Sequence, residues 1–593
     1  VNRTAKTRAL TTCLLLAGCY TAFSFRLVHL QVTQHDEYAA CAAEKHVKRQ
    51  TIYARRAAIQ DIHGESLAQN EPVRTVVADA TLIKDRGELA DVLAVTLGLP
   101  KAQLMEKLGR EVFSQSQKKN VPAPYIVLKK EVPESVASDL GDELSERKLR
   151  GIFFEQDTTR VYPNGHMLCH VLGFVNGENL GVEGVERTME QFLRGHDGFR
   201  YTERDRTGRE IVPYRGQEKE ARNGCNVRLT IDMGLQNIVE QELDAAIKQF
   251  RPKGATVILM HPKTGEILAL ANRPNFNLNE QDKVAPDQRR NRAIADMVEP
   301  GSTFKIVTTA AALTERIVRP TTMINCENGY FASAKLHDHH PYSDLSVNDT
   351  LVKSSNIGMA KLAIQLGDQK FYEYIRRFGF GERTGVNLPG EISGVIHPPH
   401  LWSKISITRM PMGQEVGATP LQITAAMCAI ANGGNLMMPQ IIHEIVDDQG
   451  RAVSQFPPQV VRRVASKEAT EAIRSALVEV VSPKGTASLA RVAGFKVAGK
   501  TGTAQKYDEK TRLPSHEKYV VSFLGYMPAD DPAFVALVML DEAQAKPGQN
   551  YGGLVAAPIF SRIGEKAARY LGLVPSPEEA VGTIVAGQNF RDQ

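Results

Sequence analysis

Aromatic side chains are scarce in this chain of 593 residues: 6%, with a single tryptophan, too few for the stacked platforms that single-stranded nucleic acids need. A block of one charge is missing too. The 72 lysines and arginines are interleaved with 67 acidic residues for a net charge of +5, so the basic footprint of a nucleic-acid partner is absent. Cysteine is sparse and scattered: seven residues, with no CxxC and no metal-ligand spacing. An odd number in an oxidising compartment leaves at least one thiol free or shared between chains, and mostly buried thiols are expected. Glycine and proline, 46 and 30, fall far short of collagen or low-complexity sequence. Only one long apolar run occurs, which excludes a polytopic membrane protein. What remains, 42% hydrophobic and 23% charged, is globular, with length for roughly four domain-sized units.

The single apolar run lies near the start. Arg3, Lys6 and Arg8 precede Ala9–Phe25, about 25 Å of helix, marginal against a hydrocarbon core of roughly 30 Å. If Arg26 snorkels, Ala9–Leu30 reaches about 33 Å and suffices. The positive flank places the N-terminus in the cytoplasm and the bulk of the chain outside, as a single-pass protein. A cleaved signal peptide would need a small-residue site followed by polar sequence, and apolar residues continue instead. Leu16-Ala-Gly-Cys19 offers a lipidation reading, against which Tyr20–Phe25 continues the span where a polar tether is expected.

Two regions follow. The first, to about Gly224, mixes β-type runs (Thr75–Ala78, Ile126–Leu128) with helical stretches (Glu88–Leu97, Val136–Arg147), then becomes glycine-rich. It carries no catalytic cluster. From Asn226 the pattern predicts a strand to Asp232 and a helix over Leu235–Phe250. A hairpin of Ala255–His261 and Glu266–Asn272 follows, turned by Pro262-Lys-Thr-Gly265. Strands at Val520–Met527 and Phe534–Leu540 and a helix from near Ala556 close an α+β domain of about 350 residues, with helices between its sheet-forming ends. The last dozen residues are expected to fray.

Three short strings inside that domain carry chemistry only together. Ser302-Thr-Phe-Lys305 follows Pro300-Gly301 and opens an apolar run, which sets Ser302 near a helix N-terminus with Lys305 one turn on, on the same face. A serine hydroxyl needs a base within hydrogen-bond reach, and a lysine serves when burial and a neighbouring cation favour its neutral form. Ser354-Ser-Asn356 opens a second helical stretch, Ile357–Leu366. Lys500-Thr-Gly-Thr503 follows a strand start, with Gly502 expected where a substrate backbone comes close. Decoys such as Ser116…Lys119, Ser346-Val-Asn348 and Lys263-Thr-Gly265 lack either the order or the surroundings.

With these strings the chain resembles the class B penicillin-binding proteins, most nearly the septal, FtsI-type peptidoglycan D,D-transpeptidases. The resemblance extends through Arg26-Leu-Val-His-Leu-Gln31, Arg160-Val-Tyr-Pro163, Gly181-Val-Glu-Gly-Val-Glu186, Leu229-Thr-Ile-Asp232, Asn291-Arg-Ala293, Glu299-Pro-Gly-Ser302 and Thr419-Pro-Leu-Gln422. Ser-Ser-Asn is similar to the septal branch, because elongation-type relatives commonly end that motif in Asp. One departure is Arg56-Ala-Ala-Ile-Gln-Asp-Ile-His-Gly64, which lacks a glycine and an arginine usual in the family.

The resemblance implies an anchor and juxtamembrane segment over 1–40 and an elongated α/β pedestal of dimerisation type over 41–224. A penicillin-binding, β-lactamase-like transpeptidase domain over 225–580 follows, its antiparallel sheet flanked by helices, then a tail over 581–593. It implies that Ser302 attacks the D-Ala-D-Ala carbonyl of a stem peptide, Lys305 takes its proton, and Ser354 relays a proton to the leaving amine. Asn356 would bond the substrate amide and Lys305, and Lys500 would supply positive potential. Thr501 and Thr503, with Gly502 between them, would bind the substrate carboxylate, and the N–H groups of Ser302 and Thr503 would form the oxyanion hole. No metal or cofactor is implied. The implied partners are peptidoglycan stem peptides and lipid-linked strands, β-lactams bound covalently at Ser302, the inner membrane, a SEDS-type glycosyltransferase and other divisome proteins.

Residues elsewhere carry blander readings. His337-Asp-His-His340 is expected to be a polar loop rather than a metal site, and Glu391 a turn residue rather than a deacylating base. Three alternatives stay open: an elongation-type transpeptidase, a hydrolase or β-lactam sensor, and a scaffold that has lost catalysis. No glycosyltransferase-like acidic motif occurs in 40–224.

Overall fold

The computed structural model describes residues 3–38, 47–114, 118–203, 218–507, 514–546 and 548–576; the fraying expected of the last dozen residues, the 581–593 tail and Cys41 lie outside them. The apolar run forms one helix, α1 (Arg3–Val28), that passes through Arg26 into a π-helical turn at His29–Thr33. Nothing covers Lys6–Thr33, whose mean hydropathy of 1.5 suits it to crossing a membrane. Four of its hydroxyls are satisfied locally: those of Thr7, Thr11, Thr12 and Thr21 each donate to the carbonyl four residues earlier.

The described chain divides into two compact units that do not follow chain order: residues 1–56 with 194–224, and 57–193 with 225–593. Besides α1, the first contains a three-stranded antiparallel sheet of Val47–Ile52, Gly198–Glu203 and Glu218–Lys219.

In the second unit, β1 (Ser66–Ala78) is flanked by β2 (Ile126–Pro133) and β3 (Ile152–Val161), both antiparallel to it. Helices Arg86–Leu97, Lys101–Leu108 and Glu134–Glu146 join this sheet in a core of Val76, Leu89, Leu93, Leu104, Leu128 and Leu140. Asp85 starts the first of these helices by accepting from the N–H groups of Gly87 and Glu88.

The glycine-rich segment is held by buried charge. Arg160 Nε donates to Glu186 at 2.7 Å and one terminal nitrogen donates to the Ala57 carbonyl at 2.8 Å and to Asn70 at 3.0 Å. Tyr162 donates to the same carboxylate at 3.3 Å. Two separate sequence strings thus turn out to be one structural lock.

The central layer is a five-stranded antiparallel sheet of β4 (Gly254–Met260), β5 (Ile267–Arg273), β6 (Ala498–Tyr507), β7 (Pro514–Met527) and β8 (Phe534–Asp541), in spatial order β5-β4-β8-β7-β6. Both faces are covered. Along β4, Ala255, Val257 and Leu259 meet α2 (Met233–Phe250) and the C-terminal α6 (Gly552–Tyr570), while Ile258 and Met260 turn to the helical side. That is why β4 reads as a continuous apolar run instead of an alternating one. The helical side is built from α3 (Lys305–Thr314) and α5 (Pro420–Ala431), almost entirely buried, and α4 (Asn356–Leu366), buried on one face. Strand β6, which carries Lys500–Thr503, is the sheet's edge.

Candidate active site

Ser302 lies in a single 3₁₀ turn, Gly301–Phe304, that leads into α3. Two glycines make the turn possible. Gly301 has φ +57°, a conformation that penalises side chains, and its backbone lies against that of Thr503 on β6. Gly413 approaches from the other side, where a Cβ would come within 2.3 Å of the Gly301 carbonyl oxygen. The serine is therefore fixed between the edge strand and a loop that the sequence did not single out.

Lys305 begins α3 and is fully buried. Its Nζ donates to the Ser354 carbonyl at 2.5 Å, to Ser354 Oγ at 3.1 Å and to Asn356 Oδ1 at 2.8 Å. Lys500, also fully buried, donates from β6 to Ser354 Oγ at 3.0 Å. Ser354 Oγ in turn donates to Ser302 Oγ at 3.2 Å. One hydroxyl thus uses both lone pairs and its proton, and Ser302 is linked to Lys305 through Ser354 rather than directly. Ser354 occupies the left-handed region, φ +56°, at the break before α4.

Neither lysine has a carboxylate within ion-pair distance among the described residues, so burial dominates at both amines. It pulls Lys500 down to about 7. Lys305 is pushed well below its ordinary value, first by burial and then by the Lys500 charge, while Asp338 works the other way. Close to neutrality the cluster therefore holds amine that can accept a proton, the condition for a lysine base.

Strand alternation divides the third motif. Thr501 and Thr503 fall on the face opposite Lys500; the Thr501 methyl lies near Gly553, and Thr503 Oγ1 accepts from Gly552 N–H at 3.3 Å. A Cβ at Gly502 would meet Ser522 Oγ at 2.3 Å and Thr303 at 3.1 Å. The space that Gly502 leaves is bounded by Ser522 of the neighbouring strand and by the serine turn, a reason for glycine within the chain itself.

Two acidic residues have settled roles. Glu391 accepts from Thr384 N–H at 2.7 Å, Thr384 Oγ1 at 2.6 Å and Gly385 N–H at 3.2 Å, tying its own turn. Asp338, read in the sequence only as part of a polar loop, accepts from three groups at the start of α4. A signal existed: a helix beginning at Asn356 leaves N–H groups that need an acceptor.

The cysteines outside α1 are free where described. Cys169, Cys326 and Cys428 are buried and Cys225 is half-buried. Burial raises their thiols, Cys169 to about 12, which disfavours the thiolate form.

Known proteins match the chain over most of its length. Residues 255–565 match the penicillin binding protein transpeptidase domain and residues 51–229 the penicillin-binding protein dimerisation domain. The chain is 32% identical over 587 residues to stage V sporulation protein D of Bacillus subtilis, covering 97% of this chain and 87% of that one. It is 31% identical over 570 residues to peptidoglycan D,D-transpeptidase FtsI of Escherichia coli, covering 95% and 92%. Penicillin binding protein 2X from Streptococcus thermophilus superposes with a TM-score of 0.73 at 25% identity, over 88% of this chain and 80% of that one. An apolar N-terminal helix, a dimerisation domain and a two-lysine serine cluster beside the edge strand of a transpeptidase sheet thus place this chain in the class B penicillin-binding proteins.

Proposed function

We propose that the protein is a septal peptidoglycan D,D-transpeptidase whose nucleophile is Ser302. The observation that carries this reading is the Ser354 hydroxyl, which accepts from Lys305 and Lys500 and reaches Ser302 Oγ at 3.2 Å. Rotation of both hydroxyls lets Ser302 donate to Ser354 and Ser354 donate to a neutral lysine amine. The Ser302 oxygen then attacks the carbonyl carbon of the penultimate D-alanine. The developing oxyanion is received by the N–H groups of Ser302 and Thr503, and the same lysine–Ser354 path returns the proton to the departing D-alanine amine as the C–N bond breaks.

An amine from a neighbouring strand attacks the acyl-enzyme, loses a proton to the cluster and releases Ser302. Asn356 holds Lys305 and faces the substrate amide. Lys500, with the hydroxyls of Thr501 and Thr503 across the strand edge, binds the terminal carboxylate. A β-lactam enters by the same attack and stays, because the described cluster offers no carboxylate to activate water. Pedestal and catalytic functions are assigned to 41–224 and 225–580, flanked by the anchor over 1–40 and the 581–593 tail.

The basic flank of α1 supports a cytoplasmic N-terminus in the inner membrane with the catalytic domain outside. Polymerisation of lipid-linked strands falls to a separate SEDS-type glycosyltransferase, with which, among other divisome proteins, the pedestal and anchor associate. The Ser-Ser-Asn form of the second motif supports the septal assignment over lateral-wall duty.

The test is labelling of the full chain in detergent with a fluorescent penicillin, beside Ser302→Ala, with the adduct chased by gel and intact mass. A long-lived adduct that requires Ser302 is expected. Rapid loss of label with hydrolysed drug would make the protein a hydrolase. No label on folded protein would remove the acyl-enzyme from the account.

A further inference from the structure

The second motif ends in a helix whose start is not capped by its own sequence alone. Ser355 is the N-cap of α4, accepting from Gly358 N–H at 2.9 Å. That leaves its hydroxyl proton and the N–H groups of Asn356 and Ile357 to be satisfied. All three go to one carboxylate, supplied by a short hairpin in which Tyr330–Phe331 pairs with Leu336–His337. Asp338, the next residue, accepts from Ser355 Oγ at 2.6 Å through one oxygen. Through the other it accepts from Asn356 N–H and from Ile357 N–H at 3.1 Å. The His337 carbonyl accepts from Asn356 Nδ2 at 3.0 Å, which turns Asn356 Oδ1 toward Lys305 Nζ, 2.8 Å away.

We propose that Asp338 is a positioning residue for acylation: its carboxylate clamps the start of α4, fixing Ser354 and Asn356 against Lys305, and its charge biases the proton held by the two buried lysines. The proposal rests on the Ser302 reading above. The clamp is more than a cap, because the groups it holds lie on Asn356 and on the neighbours of Ser354 and Asn356, the two residues that accept three hydrogen bonds from Lys305 Nζ. A carboxylate receiving several N–H and O–H donors makes charge-assisted bonds, roughly twice as strong as neutral ones.

The electrostatic part follows from what surrounds the lysine. From β6 it faces Lys500, which disfavours its charge; from the hairpin loop it faces Asp338, which favours it. His339, lowered mainly by burial and then by Lys305, lies on the same loop with His340; Cys326 and Tyr342, both raised mainly by burial, also feel the carboxylate. Lys361 and Asp344 stand further out on the Cys326 side. Asp338 is the carboxylate that opposes the Lys305–Lys500 repulsion.

The decisive experiment measures the second-order acylation rate of the full chain in detergent by fluorescent penicillin, from acidic to alkaline pH. Asp338→Asn keeps the shape, removes the charge and cannot accept the Ser355 proton through its amide nitrogen. Expected are a plateau rate about tenfold lower and an acid limb moved to lower pH, because loss of the negative charge makes Lys305 easier to deprotonate. Asp338→Glu restores the charge on a longer arm, so the limb returns to its place while the plateau stays low.

Ser355→Ala removes one clamp bond and keeps the carboxylate, so it lowers the plateau severalfold without moving the limb. An Asp338→Asn protein with wild-type plateau and limb overturns the proposal. If that variant does not fold, a Ser355→Ala protein with a wild-type plateau overturns it equally. Absence of Ser302-dependent label in the unsubstituted chain would overturn the acyl-enzyme reading itself, whereas normal labelling with an indifferent Asp338→Asn overturns only the clamp.

Discussion

Two places in the larger unit bury cationic side chains almost completely, and they treat the charge in opposite ways. At Arg160 the guanidinium and its partner Glu186 are 2% and 0% exposed and lie 2.7 Å apart. Desolvation of each ion is offset by the other, by the Ala57 carbonyl and by Asn70, and the result is a fixed joint in the glycine-rich segment. At Lys305 and Lys500 two amines of like sign meet on one serine hydroxyl with no carboxylate in ion-pair contact. There the desolvation is left standing, and it is discharged by loss of a proton. Arginine suits the first place because it keeps its charge; lysine suits the second because it gives its charge up.

The largest effect expected from this contrast is kinetic. Lys305→Met removes the amine proposed to receive the Ser302 proton and should slow penicillin acylation by about 10³-fold, within the range for a lost general base. Lys305→Arg should be no better, since a guanidinium stays protonated. Stopped-flow or gel-based acylation rates decide it; a Lys305→Arg protein acylating near the normal rate would mean that the lysine acts as a charge and not as a base.

The converse break is in the lock. Glu186→Gln leaves Arg160 buried beside a neutral amide and should cost about 3–5 kcal/mol of stability, read as a large fall in melting temperature by calorimetry. The acylation pH profile of whatever remains folded should be unchanged. A loss of acylation with stability intact would show that the glycine-rich segment communicates with the serine.

A subtler break takes charge from the lysine cluster while sparing the base. Lys500→Met removes an amine whose pKa falls from 10.5 to about 7 on folding. Below pH 7 both folded and unfolded chains hold that proton, and the whole penalty, about 5 kcal/mol, weighs on the fold. Between 7 and 10.5 the unfolded chain binds the proton and the folded chain does not, so stability rises with pH and the penalty fades. Set against the lost hydrogen bond to Ser354, worth about 1–2 kcal/mol, the substitution should stabilise by about 3 kcal/mol near pH 7 and destabilise by about 1–2 kcal/mol near pH 10.5. Melting curves of both proteins against pH test this. A variant that is less stable at pH 7 would mean that Lys500 keeps a counter-charge that has escaped notice.

How far this contrast was legible beforehand depends on the range of each interaction. Ser302…Lys305, Ser354…Asn356 and Lys500…Thr503 are local strings, each a turn of helix or a stretch of strand, so order and flanking pattern sufficed to find them. The strings containing Arg160 and Glu186 were visible as resemblance, but their pairing across 26 residues was not. Asp338 and Gly413 act through space on groups that sequence spacing does not connect to them, and neither was found.

Element ends slipped for the same reason. Helix α2 starts two residues before the expected Leu235 because Asp232 caps it. Helix α6 starts at Gly552, where paired glycines and the internal Pro558 masked its first turn. Gly502 was singled out for close approach of a substrate backbone; the crowding by Ser522 of the neighbouring strand, which also requires glycine there, is a contact between strands that spacing does not reveal.

The smallest expected effect separates burial from pairing as the cause of all this. Arg74 and Glu134 make a bidentate pair, with bonds of 2.8 and 2.6 Å, as well formed as that of Arg160, yet on side chains that are 24% and 52% exposed. Mutual hydrogen bonding raises the arginine and lowers the glutamate. In water, however, the attraction is screened, and two long side chains give up rotamer freedom to make it. Glu134→Gln should therefore leave the melting temperature where it was, at low and at high salt alike. If it instead lowered stability as far as Glu186→Gln does, geometry rather than desolvation would set the worth of ion pairs in this protein, and the explanation offered for the two buried lysines would fall with it.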